Sequence, residues 1–247
     1  SLEHRLRLLQ ELGVQVCVIA KFDCRFAGIS AEDFVRTIII RNLGARAVFV
    51  GENFRFGRGA RGDAGFLARE AQAVGVVVRL FKTVRFRGRA VSSSLIRRLI
   101  TTGQLNRARQ LLLRRVSVLG TVIRGSALGR MLGFPTANIE AHHEVLPPSG
   151  VYAVRVVLGK RTYRGACYIG CRPTFAQGAR QAGVLCPDAR RRVEVHIFNF
   201  RKDIYGRDLE VQFIKKIRPD KRFRNPEALA RQIKKDITRI KVCFSRP

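Results

Sequence analysis

The stretch Gly133-Phe134-Pro135-Thr136-Ala137-Asn138 (GFPTAN) determines how the second half of this chain is interpreted, and three more glycines precede it at 120, 125 and 129. Glycine has no Cβ, so a segment of this kind can bring backbone N–H groups close to a phosphate. Thr136 and Asn138 would then offer oxygen ligands to the Mg²⁺ that accompanies a nucleoside triphosphate. The stretch therefore predicts a nucleotide loop that consists of Gly120, Gly125, Gly129, Gly133, Pro135, Thr136 and Asn138.

A second segment, Val193-Glu194-Val195-His196-Ile197-Phe198, alternates apolar and polar residues as a strand does. Glu194 and His196 therefore share one face. A carboxylate beside a bound hydroxyl can accept its proton during phosphoryl transfer to an alcohol. Taken alone, the strand is explained better by a solvent-facing Glu at a sheet edge. For His196 we predict a packing or orienting role.

Short alternating segments continue on both sides of these two motifs. They lie at 116–122, 151–157, 164–169, 193–200 and 210–217, and Gly, Pro and Asp turns separate them. This pattern predicts a small antiparallel β-barrel. A helix follows, with Asn225 as its cap and Pro226 in its first turn. Its predicted buried face is made by Leu229, Ile233, Ile237 and Ile240.

Residues 1–115 alternate strands with helices instead. We predict strands at 14–20, 47–51 and 76–81, and helices that begin near residues 2, 30, 63, 93 and 105. This order predicts an α/β domain with a doubly wound parallel sheet. A length of 247 residues suits two domains, which we place at 1–115 and 116–247.

The composition narrows the classes of function. Lys and Arg number 48 against 18 Asp and Glu, which gives a formal net charge of +30. Such an excess suits an anionic partner, although a solvated arginine-rich surface explains it equally well because both halves share it. The hydrophobic content of 46% excludes a disordered chain, and every apolar run is too short to span a membrane. The six cysteines show no zinc-binding spacing, which predicts reduced thiols in a cytoplasmic protein.

The pattern GxxxxGxxxGFPTAN resembles the nucleotide loop of riboflavin kinases, and the sequence from Glu194 to Ile197 resembles the E-x-H-[IV] segment that carries their catalytic base. The resemblance implies that Glu194 is the base for the riboflavin 5′-hydroxyl. It also implies that ATP is the phosphoryl donor and that Thr136 and Asn138 hold Mg²⁺. Three further segments resemble turns at the family's flavin site and imply that flavin is bound by Arg172, Thr174, Phe175, Tyr205, Arg218 and Phe223.

The first half resembles the flavin adenylyltransferase domain of bacterial FAD synthetases. Two segments carry this resemblance, Gly51–Gly57 (GENFRFG) and Val91–Arg97 (VSSSLIR). The family residues retained there are Asn53, Phe54, Phe56, Gly57, Ser92, Ser93 and Arg97. The family's GxFDGxHxGH segment, whose histidines contact ATP phosphates, has no counterpart among the four histidines of this chain. We therefore expect an N-terminally truncated bifunctional enzyme without adenylyltransferase activity.

The expected enzyme is a riboflavin kinase that converts riboflavin and ATP to FMN and ADP. The alternative is a degenerate barrel of the same fold that binds RNA through its basic surface, with an affinity that falls steeply with salt. The sequence contains no RRM, KH or zinc-finger motif that would favour this alternative. It also contains no GxxxxGK[ST], which argues against a P-loop kinase.

Overall fold

The computed structural model describes residues 1–125, 128–142, 144–171 and 191–245. These residues form two compact units. The barrel unit comprises Ser1–Gly13 and Ser92–Pro247, and the α/β unit comprises Val14–Val91. The domain boundary predicted between residues 115 and 116 stays a prediction. Within the described residues, none of the helices combines the length and apolar character that crossing a membrane requires.

The strands in chain order are β1 (Ala47–Gly51), β2 (Arg55–Phe56), β3 (Gly62–Asp63), β4 (Val77–Phe81), β5 (Arg85–Phe86), β6 (Arg89–Ala90), β7 (Ser117–Ile123), β8 (Ala137–Ala141), β9 (Gly150–Leu158), β10 (Arg161–Cys171), β11 (Arg191–Ile197) and β12 (Asp208–Pro219). The α-helices are α1 (Leu2–Glu11), α2 (Cys24–Ala27), α3 (Ala31–Asp33), α4 (Ala64–Gln72), α5 (Ser93–Thr101), α6 (Leu105–Leu112), α7 (Leu128–Met131) and α8 (Pro226–Ser245). Helix α3 continues into a π-helix at Phe34–Asn42, and a 3₁₀ turn lies at Arg58–Ala60.

Six antiparallel strands close the barrel in the order β10-β11-β8-β7-β12-β9, which confirms the predicted architecture. Alternate side chains of each strand fill the interior, as Val193 and Val195 of β11 do. Helices α5 and α6 pack against the same core through Leu99 and Leu105. Strand β8 was not predicted, because Ile139 is the only buried residue among its five and leaves too little alternation to detect.

Helix α8 covers part of the outer face of the barrel. Its fully buried Ile240 packs with Val151 and Ala153 of β9. The Asn225 side chain accepts a hydrogen bond from the N–H of Ala228 at 2.9 Å, so it caps the helix as predicted.

A buried histidine joins helix α1 to the barrel. His4 Nδ1 lies 3.1 Å from Glu144 Oε1, and His4 Nε2 lies 3.1 Å from the Ser117 hydroxyl and 3.9 Å from Glu210 Oε1. Burial by itself would lower the pKa of His4, but hydrogen bonds to the two carboxylates outweigh it and raise the pKa to about 9. His4 is therefore a paired cation at neutral pH.

The α/β unit contains a parallel pair of strands, β1 and β4, in which Ala47 lies opposite Val77. Its core is formed by Val35, Leu67 and Phe56, with several partly buried aromatic rings around them. Helix α4 begins at an Asp63 cap, whose carboxylate accepts the N–H of Phe66 at 2.7 Å. The predicted strands at 47–51 and 76–81 and the predicted helix near residue 63 are therefore found.

The strand predicted at 14–20 is wrong. The structure has no regular element between α1 and α2, and the side chains of Val16 and Val18 are 79% and 66% exposed. Parallel strands are normally buried on both faces and need a hydrogen-bonded neighbour. Within the described residues β1 pairs with β4 alone, so the apolar run at 14–20 has the composition of a strand but no partner.

Candidate active site

The predicted nucleotide loop connects β7 with β8, and two of its glycines lie against the two predicted metal ligands. A Cβ on Gly125 would overlap the side-chain amide of Asn138, and one on Gly129 would lie 2.9 Å from Thr136 Oγ1. Larger residues at these two positions would displace the amide and the hydroxyl. The loop therefore needs glycine where it passes over Thr136 and Asn138.

The remaining predicted loop residues lie around this contact. Gly120 is in β7, where a Cβ would run into the backbone of Glu140 in β8. Gly133 has a φ of +81°, a conformation that glycine adopts without strain. The carbonyl of Pro135 lies 2.7 Å from His196 Nδ1, and because a carbonyl can only accept, this nitrogen donates. His196 thus joins the loop to β11, in agreement with its predicted orienting role.

Glu194 of β11 lies directly opposite Asn138 of β8 on one side and Tyr168 of β10 on the other. Directly opposed residues of an antiparallel pair share a face, with Cβ atoms about 4.5–5.5 Å apart. Because the flanking Val193 and Val195 fill the interior, Glu194 lies on the outer face. The strand register therefore brings the predicted base and a predicted metal ligand together.

Residues directly opposite one another continue from strand to strand around the barrel. Tyr168 lies opposite Val151 of β9, and Val151 lies opposite Arg218 of β12. We call Asn138, Glu194, Tyr168, Val151 and Arg218 the cross-strand row. It extends from a predicted metal ligand, past the predicted base, to a predicted flavin residue. Within the row, Glu194 has Asn138 on one side and Tyr168 on the other, and Val151 packs with Ile240 of helix α8.

Tyr168 is a member of the row that the sequence did not reveal. Burial raises the pKa of its phenol, and the nearby charges of Asp220 and Glu194 raise it further. The phenol therefore stays protonated and donates to Asp220 Oδ1 at 3.1 Å. Its ring lies over Gly170, where a Cβ would overlap the phenol. A tyrosine two residues before a glycine was the only signal that could have identified it.

The predicted flavin residues fall into three groups. Arg172, Thr174 and Phe175 lie outside the described residues. Arg218 and Phe223 lie together, with the guanidinium carbon 5.6 Å from the ring centroid. Tyr205 lies instead beside the nucleotide loop, because the guanidinium of Arg124 is 5.6 Å from its ring and Arg124 directly precedes Gly125. Flavin binding by all of these residues stays a prediction.

The GENFRFG residues of the α/β unit make mainly local contacts. Phe54 and Phe56 stack with centroids 5.3 Å apart, and Phe56 is buried in the core of the unit. The Asn53 amide donates to Thr83 Oγ1 at 3.0 Å. Gly57 has a φ of +70° and lies so close to Ala31 that a Cβ would come within 2.7 Å of its Cα. These contacts support the fold of the unit itself.

The VSSSLIR residues from Ser92 to Arg97 belong to the barrel unit, whereas Val91 ends the α/β unit. Ser92 caps α5, since its hydroxyl accepts the N–H of Leu95 at 3.2 Å. Ser93 and Arg97 are exposed on the first turn of that helix and the turn after it. An exposed helix N-terminus with an arginine nearby is compatible with a phosphate, and an ordinary serine cap explains the same contacts.

The donor set at the loop suits magnesium. Within the described part of the chain, no group of three or more His, Cys, Asp or Glu side chains could hold a metal by itself. Mg²⁺ commonly takes few protein oxygens and completes its shell with water and substrate phosphates. The hydroxyl of Thr136 and the amide of Asn138, both half-buried beneath glycines, fit that mode.

Family models match both parts of the chain. A model of riboflavin kinase matches residues 112–244, and a model of FAD synthetase matches residues 1–95. The bifunctional riboflavin kinase/FMN adenylyltransferase of Escherichia coli K12 is 36% identical over 236 residues, which cover 95% of this chain and 72% of that protein. Its Haemophilus influenzae counterpart is 34% identical over 245 residues, which cover 99% and 76%.

A solved structure also resembles the chain. A crystal structure described as a macrolide-efflux protein from Streptococcus pneumoniae has a TM-score of 0.78 at 29% identity and covers 97% of this chain and 74% of that one. The likeness agrees with the fold described above. None of these relatives supports the RNA-binding alternative.

Proposed function

This chain belongs to the family of bifunctional riboflavin kinase/FMN adenylyltransferases, and we propose that its barrel unit transfers the γ-phosphoryl group of ATP to the 5′-hydroxyl of riboflavin. One observation carries the proposal. Glu194 lies directly opposite Asn138, so a carboxylate stands beside the loop that would hold the nucleotide.

In this reaction Glu194 accepts the proton of the 5′-hydroxyl while the hydroxyl oxygen bonds to the γ-phosphorus of ATP. The bond between that phosphorus and the oxygen bridging to the β-phosphate breaks, which yields FMN and ADP. His196 keeps the loop against β11 through the Pro135 carbonyl, so the base and the phosphate keep their spacing.

The nucleotide side would be formed by the predicted loop. Thr136 and Asn138 would hold Mg²⁺, which supplies positive charge at the phosphates when it is bound. Backbone N–H groups near Gly125 and Gly129 would contact the phosphates, because the loop has no side chains there to hold them away.

We propose the kinase reaction for the barrel unit, which contains the residues matched by the riboflavin kinase model, and a model of FAD synthetase matches residues 1–95. The proposed substrates are thus riboflavin and ATP. We propose the cytoplasm as the site of action, since Cys17, Cys24, Cys167 and Cys243 are free thiols.

The test is formation of FMN from riboflavin, ATP and Mg²⁺, resolved by HPLC. We expect the wild-type chain to form FMN and Glu194→Gln to lower turnover by about 10²–10⁴-fold, the usual contribution of a positioned base. Glu140→Gln is the matched control, because Glu140 is an exposed carboxylate of the neighbouring strand β8.

We expect the control to retain wild-type turnover. Wild-type turnover by Glu194→Gln would refute the role of the base, and absence of FMN from the wild-type reaction would refute the function.

A further inference from the structure

On the apolar face of helix α8, a carboxylate occupies one position at which an apolar side chain would be expected. Asp236 is only 3% exposed and lies on the same face as Ile233 and Ile240. Its Oδ2 accepts from Arg218 Nε at 2.8 Å, and its Oδ1 accepts from the Gln232 amide at 2.9 Å. A buried carboxylate is costly unless it is paired and hydrogen-bonded, and both conditions are met here.

The contact orients the guanidinium group of Arg218. Asp236 accepts its hydrogen bond from the Nε–H, and the terminal Nη1 has a different partner. Nη1 donates to the carbonyl of Pro219 at 3.0 Å, and the guanidinium carbon lies 5.6 Å from the Phe223 ring centroid. The side chain of Arg218 is only 13% exposed, so the ion pair of Arg218 and Asp236 is largely shielded from solvent.

Arg218 is also the last residue of the cross-strand row that contains Glu194. The segment after it is attached a second time, because Tyr168 donates to Asp220. Asp236 therefore fixes one end of a segment whose other anchor is the residue opposite the proposed base.

We propose that Asp236 is a positioning residue for the flavin, which acts through Arg218 and makes helix α8 part of the substrate site. The inference rests on the proposed function and extends it. Arg218 contacts the heteroaromatic ring or ribityl oxygens of riboflavin, and Asp236 holds its guanidinium in the orientation that this contact needs.

The test separates riboflavin from ATP. We expect Asp236→Asn, which keeps the shape and removes the charge, to raise the KM for riboflavin about tenfold and to leave the KM for ATP within about twofold. Quenching of riboflavin fluorescence gives the Kd without turnover, and we expect it to rise by the same factor. Asp236→Glu should restore part of the affinity, and Glu227→Gln, an exposed carboxylate of the same helix, should match the wild type.

A riboflavin Kd for Asp236→Asn within twofold of the wild type would overturn the inference and leave the proposed function intact. Wild-type chain that neither binds nor phosphorylates riboflavin would overturn both. If Asp236→Asn unfolds, Arg218→Met with Asp236→Leu replaces the pair by apolar groups, which buried ion pairs often tolerate. We expect that double variant to fold and to bind riboflavin at least tenfold more weakly, and wild-type affinity would again overturn the inference.

Discussion

The barrel unit and the α/β unit complete their sheets to different degrees. In the barrel, each of the six strands is paired on both sides, and Val118, Val154 and Val211 are fully buried. In the α/β unit, β1 and β4 pair with each other alone among the described residues, and Phe49 and Phe81 remain 63% and 60% exposed.

This difference explains why strand register can align the predicted site residues in the barrel unit. A strand held on both sides cannot slip by one residue, because a slip would turn its apolar side chains outward. The barrel can therefore align Asn138, Glu194 and Arg218 from three distant parts of the chain. In the α/β unit, Phe54 and Phe56 serve the local core instead.

The largest expected effect tests whether each core supports its own unit. Leu209 of the barrel and Leu67 of the α/β unit are both fully buried. We expect each Leu→Ala change to lower the free energy of unfolding of its unit by about 2–5 kcal/mol, from lost burial plus a cavity. Only Leu209→Ala should lower FMN formation near its unfolding midpoint, as followed by urea denaturation and the HPLC assay. An equal loss of FMN formation in Leu67→Ala would contradict the expectation that the core of the α/β unit does not support the barrel unit.

A slightly smaller effect concerns pH and is confined to the barrel unit. The pKa of His4 is about 9 in the folded protein and near 6.5 in the unfolded chain, so His4 stabilises fully below about pH 6.5 and this contribution is lost as the pH rises through 9. The shift corresponds to about 3 kcal/mol in the free energy of unfolding. The pKa values of Glu144 and Glu210 are lowered, so the contribution of these carboxylates disappears only at acidic pH.

The measurement is urea unfolding at several pH values, with His4→Gln as the matched variant. Glutamine keeps a hydrogen-bonding group and cannot become a cation. We expect the wild type to lose its advantage over His4→Gln between about pH 6.5 and 10. Parallel curves for the two proteins would show that the ion pairs of His4 contribute nothing to stability.

The sequence predicted the barrel better than the α/β unit, for a physical reason. Alternation of apolar residues is sufficient when both neighbours of a strand are present, and it failed at 14–20, where pairing is absent. The motifs predicted site roles for Glu194 and Asn138, which stay predictions, but no motif indicated Tyr168, because only the register places it opposite Glu194. Asp236 left a detectable signal, since it interrupts the apolar face of α8.

A third prediction compares a glycine of the nucleotide loop with a glycine of the α/β unit. Gly125→Ala places a methyl group on the Asn138 amide and should lower kcat/KM by up to about 10²-fold, because a misplaced ligand costs rate more than stability. We expect its thermal midpoint to remain close to that of the wild type, since the amide can rotate away. Gly65→Ala in α4 meets only ordinary contacts and should leave the kinetics unchanged. A Gly125→Ala enzyme with wild-type kinetics would show that the loop does not depend on this close approach.

The smallest expected effect concerns the exposed face of the parallel pair. The rings of Phe49 and Phe81 lie 6.1 Å apart, but both are mostly in contact with solvent, so replacing both by Thr removes little burial. An aromatic pair contributes about 0.5–1.5 kcal/mol beyond area, and exposure places this one at the low end. Threonine also retains the preference of a β-branched residue for a strand. We therefore expect the double variant to change the free energy of unfolding by less than about 1 kcal/mol, as measured by urea denaturation.

The same substitution at the buried Phe56 should cost several times more. A loss above about 2 kcal/mol at Phe49 and Phe81 would mean that this face is covered in solution, and the contrast between a closed sheet and an open one would then no longer hold.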